Sequence, residues 1–362
     1  MSDQPNEGSG LTHQALEKPL GLGIVGLGMV ADVHARALQD LTGRVEVRGV
    51  YARNAETRAS FADRYQFPAA ETLGALMADQ SIDAILLLTP PNSRMDIVAA
   101  ACASGKHLLL EKPVERNTAA AVDIVQLCEA ANVRLGVVFQ HRFRAASMAL
   151  KKLVQSDQFG ALSSVQVVVP WWRPQSYYDA PGRGTYERDG GGVLITQAIH
   201  TLDLLIWLIG VPQEVQAMAA TTRLHRLEAE DFVSGSMRLP NGAIAGLTAT
   251  TAAFPGGPES IAIDFEHASA RLEGGRLVVR FHDGRVETVG EEGGSGGGAD
   301  PMGFTHSWHR AVIQDFALAV LEEREPAVSG RSALHVHRLI DALLLSSAER
   351  RVVGLQEIAV PS

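Results

Sequence analysis

The segment from Leu20 to Ala37 contains small residues whose spacing suits a phosphate group. An apolar run, Leu22–Val25, is followed by Gly26, Gly28 and Ala31 in the order G-x-G-x-x-A. The first glycine permits a tight turn, the second leaves room for a pyrophosphate, and the small third residue lets a helix pack on the strand, with its free N–H groups facing the phosphates. This pattern predicts a dinucleotide-binding turn, and the alternative is a glycine-rich turn without a ligand. The predicted cofactor contacts are Gly26, Gly28, Met29 and Val30.

The second predicted strand, Val45–Tyr51, ends where a dinucleotide site usually has an acidic residue for the adenosine ribose. This sequence has Ala52 there, followed by Arg53. A site without the carboxylate and with an adjacent arginine suits a 2′-phosphate, which favours NADP over NAD. We therefore expect Ala52 and Arg53 to contact the cofactor. The alternative is that Arg53 is a solvated loop residue.

Two later strands are predicted to end at the same edge of a parallel sheet. The first, Ile82–Thr89, runs into a proline-rich turn, and the second, His107–Leu110, runs into an acidic residue, a lysine and a proline. Ligands bind at the carboxyl edge of such sheets, so we expect both loops to contact the cofactor. The predicted contacts are Thr89, Pro90, Pro91, Asn92, Glu111, Lys112 and Pro113.

Lys112 is the candidate proton acceptor in these loops. A lysine in water titrates near about 10.4 and is a poor base at neutral pH. Burial beside a cationic nicotinamide would lower its pKa and prepare it for proton transfer. The alternative is a surface lysine that pairs with Glu111.

An apolar helix predicted over Val193–Ile209 contains one histidine, His200. A single histidine in such a helix is often a core residue with its hydrogen bonds satisfied. Thr196 precedes it by one turn and could hydrogen-bond a substrate, with Gln197 beside it. Asp203 follows on nearly the same face, where it would support the structure.

The loop before this helix combines aromatic and basic side chains. Sugars bind against aromatic faces, and arginine pairs with carboxylates and phosphates. The alternative is that this loop is a lid or an oligomer contact. The loop contains Trp172, Arg173, Tyr177, Tyr178 and Arg183, and we predict substrate contacts from Trp172, Arg173 and Tyr178.

The order of the elements predicts two domains. Strands alternate with helices from residue 20 to residue 140, which indicates a doubly wound parallel sheet covered on both faces. Residues 141–362 are predicted to form a mostly antiparallel sheet with helices on one face, so the fold combines α/β and α+β parts. Residues 1–19 are predicted to be a disordered lead, and Gly293–Gly298 a flexible loop.

The composition argues against several classes of partner. The net charge is −9 without a lysine and arginine cluster, so we expect no binding to nucleic acid or membranes. The two cysteines are predicted to be reduced core thiols, and no stretch of signal-peptide or membrane-spanning type is found, which predicts a cytoplasmic protein. His335 and His337 are predicted on a helix surface. With His306 and His309, they form no convincing metal site.

Six motifs in order resemble the Gfo/Idh/MocA oxidoreductase family, which includes glucose–fructose oxidoreductase and inositol dehydrogenase. They are GLGMVADVH, TPPN, GKHLLLEKP, QHRF, GGGVLITQAIHTLDLL and HSWHRAVIQDF, and the resemblance runs from about Leu20 to the C-terminus. It implies a Rossmann domain followed by an open-faced sheet domain. It also implies reversible NAD- or NADP-dependent oxidation of a secondary alcohol on a sugar-like or other cyclic substrate, with a sugar, nucleotide sugar or cyclitol as the expected class. By this resemblance Lys112 is catalytic, His200 is its partner, and Arg142 of QHRF contacts substrate.

Two positions depart from the family pattern. Several members have Asp where this chain has Thr196, and the local sequence is closer to the nucleotide-sugar 3-dehydrogenase branch. Arg94 stands where many members have His, and it is assigned no role. The rival hypotheses are a dehydrogenase for non-sugar cyclic diols and a cofactor-binding sensor without turnover. An open sheet face would favour a homodimer or homotetramer.

Overall fold

The chain folds into two β-sheets of different types. The computed structural model describes residues 18–291, 303 and 305–360. The predicted lead, apart from Lys18 and Pro19, and the predicted loop at 293–298 lie outside these residues.

The first sheet is parallel, so the loops that follow its strands lie at the same edge. Its strands are β1 (Leu20–Val25), β2 (Val45–Tyr51), β3 (Ala84–Leu87), β4 (His107–Leu110) and β5 (Leu135–Val137). Their order is β2-β1-β3-β4-β5, so β2 and β3 lie on opposite sides of β1 and the direction in which strands are added reverses there. Such a reversal opens a crevice at the carboxyl ends of the strands. The helices are α1 (Ala31–Gln39), α2 (Ala55–Tyr65), α3 (Leu73–Ala78), α4 (Met95–Ala103) and α5 (Thr118–Ala130).

The second sheet has nine strands and is mostly antiparallel. The strands are β6 (Leu162–Pro170), β7 (Glu214–Ala220), β8 (Phe232–Arg238), β9 (Ile244–Thr250), β10 (Ser260–Phe265), β11 (Ala268–Glu273), β12 (Arg276–Phe281), β13 (Val286–Val289) and β14 (Val353–Gly354). They lie in the order β13-β12-β11-β10-β6-β9-β8-β7-β14, and β6 and β9 are the parallel pair. Both predicted sheet types are confirmed.

Alternation of apolar residues decides which face of the second sheet is covered. Val165, Val167 and Val169 of β6 are buried, whereas Ser164 and Gln166 point to the other, more exposed face. This period of two is that of a half-buried sheet. The helices of this half of the chain are α6 (Ala145–Val154), α7 (Gln175–Tyr178), α8 (Ile199–Ile209), α9 (Ser307–Leu321) and α10 (Gly330–Glu349), of which α6, α8 and α10 pack on the sheet.

Three details differ from the sequence-based expectations. Helix α9 packs on α1 and β4, so the segment 141–362 also contributes to the first core. His337 is buried rather than exposed, because its Nε2 accepts a hydrogen bond from the backbone N–H of Val114 at 3.2 Å. The helix expected over Val193–Ile209 begins as a π-helix at Leu194–Ala198.

Among the described residues, no helix is both long and apolar enough to span a bilayer.

Candidate active site

The turn after β1 has the geometry that its glycines predict. Gly26 has φ of +95°, and its backbone N–H donates to the carbonyl of Tyr51. A Cβ at this position would lie 2.8 Å from the backbone nitrogen of Thr89, so the two loops can approach only with glycine here. A Cβ on Gly28 would meet no atom within 4 Å, which leaves open space above the start of α1. The hydroxyl of Thr89 is buried without a hydrogen-bond partner in the described structure. An open glycine turn beside an unused hydroxyl fits a phosphate-bearing cofactor.

A cleft of about 300 Å³ lies between this edge of the first sheet and the second part of the chain. Thirteen of the predicted site residues line it: Gly28, Met29, Val30, Thr89, Pro90, Pro91, Glu111, Lys112, Pro113, Arg173, Thr196, Gln197 and His200. Gly26 lies in the turn below the cleft. Ala52, Arg53 and Asn92 lie outside its lining, at the ends of β2 and β3.

Lys112 reaches from the loop after β4 to the helix that carries His200. Its Nζ donates a hydrogen bond of 2.6 Å to the carbonyl of Thr196, and the peptide bond to Pro113 is cis. Burial lowers the pKa of Lys112 to about 8. The negative charge of Glu111 raises this pKa in part, and the positive charge of Arg183 lowers it further. A substantial fraction of this amine is therefore neutral near physiological pH.

His200 lies against a second histidine in the cleft. Its ring stacks on that of His141 with centroids 4.9 Å apart, and Phe139 contacts it edge-on. Burial, and then the charge of Lys112, hold the pKa of His200 well below its ordinary value. Its Nδ1 is buried without a partner among the described residues. His200 is therefore a neutral imidazole with unused hydrogen-bonding capacity.

The π-helical turn before His200 is fixed by a buried carboxylate. Glu230 accepts the N–H groups of Gly192 at 3.1 Å and Leu194 at 3.0 Å. A Cβ at Gly192 would lie 1.7 Å from the carbonyl oxygen of Glu230, so the close approach requires glycine. Thr196 donates its hydroxyl to the carbonyl of Gly192 at 2.6 Å, while its own carbonyl holds Lys112. Thr196 thus faces the cleft with its hydroxyl already engaged.

Three residues expected to contact substrate do not line the cleft. Arg142 forms a buried ion pair with Asp203, donating from Nε to Oδ2 at 2.7 Å. Trp172 packs on His225 and Phe254, and the hydroxyl of Tyr178 bonds that of Thr251 at 2.6 Å. The lining residues from the same segments are His141, Arg144, Trp171 and Tyr177.

Arg94, which the sequence analysis left without a role, lines the cleft and links two of its loops. The residue is 2% exposed, and its guanidinium donates to the carbonyls of Thr89 at 2.7 Å and Glu111 at 2.5 Å, and also to that of Pro113. Burial lowers its pKa to about 10, so it stays cationic at neutral pH. It ties the loop after β3 to the loop that carries Lys112.

Glu111 lies between two histidines that the sequence did not bring together. His34 Nε2 is 2.8 Å from Glu111 Oε1, and His309 Nε2 is 3.9 Å from the same oxygen. All three are buried, and the three ligand atoms are close enough to hold a metal ion, which the sequence analysis did not predict. The shorter distance is that of a hydrogen bond. Burial alone would raise the pKa of Glu111, but the hydrogen bond to His34 and the charges of His34, His309 and Lys112 together outweigh burial, so the net shift is downward. A carboxylate is thereby kept next to Lys112.

Comparison with known proteins identifies the family. Residues 20–139 match the model of the oxidoreductase family with an NAD-binding Rossmann fold, and residues 147–294 match the GFO/IDH/MocA C-terminal domain. The chain belongs to the GFO/IDH/MocA family. It is therefore an oxidoreductase whose first domain is an NAD-binding Rossmann domain.

Three relatives illustrate how much of the chain is shared. The structure of the WlbA dehydrogenase from Chromobacterium violaceum in complex with NADH and UDP-GlcNAcA is 28% identical, with a TM-score of 0.81, covering 97% of this chain and 100% of that one. Inositol 2-dehydrogenase of Rhizobium meliloti is 24% identical over 344 residues, which cover 92% of this chain and 98% of the relative. An uncharacterized oxidoreductase of Schizosaccharomyces pombe is 28% identical over 221 residues, so that alignment spans 59% of this chain and 58% of the relative.

Proposed function

We propose that this member of the GFO/IDH/MocA family transfers a hydride between a nicotinamide cofactor and a secondary alcohol or ketone of a sugar, nucleotide sugar or cyclitol. The observation that carries the proposal is the position of Lys112. Its amine has a lowered pKa, lines the same cleft as the glycine turn, and is bonded to the carbonyl of Thr196, which precedes His200 by one helical turn. The substrates named for WlbA and inositol 2-dehydrogenase support a polyhydroxylated ring as the ligand.

The chain's own residues would handle the proton. The nicotinamide ring, when bound, supplies the hydride acceptor. Neutral Lys112 would take the proton from the substrate hydroxyl at Nζ, and the carbonyl of Thr196 holds that nitrogen in place. Neutral His200 would hydrogen-bond the same hydroxyl and orient its carbon. Glu111 lies next to the ammonium that Lys112 becomes.

Replacing Lys112 with methionine tests this assignment. Lys112→Met should lower kcat by about two to four orders of magnitude, as expected for loss of a general base. The affinity for NADPH, measured by its fluorescence, should stay within about threefold of wild type because the glycine turn is untouched. Lys152→Met, an exposed lysine on α6, is the control. Turnover of Lys112→Met within threefold of wild type would refute the assignment.

We also propose that the chain prefers NADP to NAD. Arg53 is exposed after β2, and Arg58 lies beside it with Nη1 2.9 Å from the carbonyl of Ala52. We propose Arg58 as a further 2′-phosphate contact; the sequence analysis expected that contact at the strand end, not one turn into α2. Calorimetric titration of both cofactors tests the preference. Tighter binding of NAD by tenfold or more, about 1.4 kcal/mol, would contradict it.

We propose a homo-oligomer, dimeric or tetrameric, that works in the cytoplasm. The exposed face of the second sheet, with Met218 at 78% exposure, supports self-association. Two free buried thiols, Cys102 and Cys128, support a reducing compartment. We expect nucleic acid and membranes to be absent from its partners.

A further inference from the structure

One wall of the cleft is formed by arginines. Arg173, Arg183 and Arg188 all line it, and they come from the loop between β6 and α8. The carboxylate that this loop contributes to the lining, Asp189, is already paired with Arg188 at 3.3 Å and accepts the N–H of Gly184. This wall therefore has an excess of positive charge.

Arg183 lines the cleft and has no carboxylate partner among the described residues. Its guanidinium lies 4.6 Å from the centroid of the Tyr177 ring, and Nη1 donates to the Tyr177 hydroxyl at 3.0 Å. Its Nε is buried without a hydrogen-bond partner, and Arg183 forms no ion pair within the described part of the chain. A half-buried guanidinium that lines a cleft without a carboxylate partner among the described residues indicates an anionic ligand.

The guanidinium of Arg173 contacts the same aromatic ring, and the backbone carbonyl of Arg173 is anchored by buried side chains. Its guanidinium is 5.6 Å from the centroid of Tyr177 and 5.3 Å from that of Trp171. Its carbonyl lies 2.7 Å from Nε2 of His225, whose Nδ1 is 2.7 Å from the carboxylate of Asp231. Both His225 and Asp231 are buried, so this part of the loop is anchored in the core. The guanidinium groups of Arg173 and Arg183 are thus presented by a preformed support.

We propose that this arginine wall is an anion subsite, in which Arg183, assisted by Arg173, binds an acidic group of the substrate. The group is a carboxylate or a phosphoryl group, because both match the planar donors of a guanidinium. The proposal rests on the proposed dehydrogenase function, and it narrows the substrate class from sugars, nucleotide sugars and cyclitols in general to those that carry an acidic group. The subsite lies in the same cleft as Lys112, whose pKa is lowered by the charges of Arg183 and Arg173.

Calorimetry with matched sugars tests the subsite on the intact enzyme saturated with NADPH. The probes are glucose, glucuronate, glucose 6-phosphate and UDP-glucose, at one fixed ionic strength. We expect at least one anionic probe to bind about tenfold more tightly than glucose. A preference for glucuronate identifies a carboxylate, and a preference for the other two identifies a phosphoryl group.

Three variants locate the effect. In Arg183→Gln the preference should fall below about threefold, while Arg183→Lys should keep part of it because the charge remains. Arg226→Gln removes an exposed arginine outside the cleft lining and should change nothing. NADPH affinity measured in Arg183→Gln should equal that of wild type. A loss of NADPH affinity there would assign Arg183 to the cofactor and overturn the proposal.

The inference is also wrong if no anionic probe exceeds glucose by threefold, or if the preference survives in Arg183→Gln. Calorimetry measures binding without turnover, so the anion-subsite proposal and the dehydrogenase proposal can be refuted independently. A wild-type enzyme that binds the anionic probe through Arg183 but transfers no hydride to any anionic sugar would refute the dehydrogenase function alone.

Discussion

Lys112 and His200 share one cleft but have different protonation behaviour. Burial lowers the pKa of both, to about 8 for Lys112 and well below 6.5 for His200. At neutral pH His200 stays in its neutral form, whereas Lys112 exchanges between its neutral and charged forms. The absence of an aspartate at position 196 fits this division, because no carboxylate raises the pKa of His200 from that side.

The pH profile of alcohol oxidation should follow Lys112. Its amine must be deprotonated to accept a proton, so kcat/KM should rise with pH and level off above about pH 8. Below that value the rate should fall about tenfold per pH unit. His200→Asn should keep this limb and part of the activity, because an amide replaces one hydrogen bond. Lys112→Met should lose the limb.

The competing mechanism gives the opposite pattern. If His200→Asn loses as much activity as Lys112→Met, and a limb near pH 6–7 disappears with it, His200 is the principal acid and base. Kinetics of wild type and both variants across pH 5–10 separate the two mechanisms.

Most of the predicted site residues line the cleft, and the three predicted substrate contacts that do not line it show what a sequence pattern leaves open. Val165, Val167 and Val169 of β6 are buried, and the same parity continues to Trp171 rather than Trp172. Applying the period of two beyond the strand end would have selected Trp171. The choice between Tyr177 and Tyr178 depends on how the single turn of α7 sits on Thr251, and no local pattern encodes that contact.

At the scale of elements, the sequence predicted the strands and helices but not how their ends are held. Strand types follow from apolar runs and alternation, which are local. The π-helical turn at Leu194–Ala198 depends on Glu230, which is 36 residues from Leu194 along the chain. Arg94 likewise acts through carbonyls in two loops, one of them 19 residues away. Such long-range contacts carry no signal in residue spacing.

The clamp formed by Arg94 should matter for stability and for the cofactor. In Arg94→Met the carbonyls of Thr89, Glu111 and Pro113 lose a buried donor, which should cost about 3 kcal/mol of unfolding free energy. NADPH should bind more weakly as well, because both loops at the sheet edge lose their link. Urea unfolding and fluorescence titration measure the two effects.

A surface arginine provides the comparison for this clamp. The Arg64 side chain is 58% exposed and forms an ion pair with Asp32. Arg64→Met removes this pair and should cost less than about 1 kcal/mol of unfolding free energy. An Arg94→Met protein that unfolds within 1 kcal/mol of wild type, with unchanged NADPH affinity, would show that the loops keep their positions without the guanidinium.

At the scale of the whole molecule, the two sheets have different exposures. Helices cover both faces of the first sheet, whereas α6, α8 and α10 cover one face of the second. The open face carries Met218 on β7 with 78% exposure, Ile244 on β9 with 44% and Phe232 on β8 with 36%. In the β7–β8–β9 register, Ala220, Phe232 and Thr250 lie side by side, and so do Met218, Ser234 and Thr248. Apolar side chains on a flat face are typical of an interface between copies of one chain.

Self-association through this face makes a prediction about a single side chain. Met218→Glu would place a charge in the interface, which should weaken association by about a hundredfold or more, about 2.7 kcal/mol. Light scattering after size exclusion should then give a dimer or tetramer for wild type and a monomer for the variant at micromolar concentration. Met148→Glu introduces the same charge at a 45% exposed methionine on α6, away from the open face, and should leave the mass unchanged. Since Lys112 lies in a cleft built from one chain, the monomeric variant should retain hydride transfer. A wild-type monomer, or a Met218→Glu protein with the wild-type mass, would rule out this face as the interface.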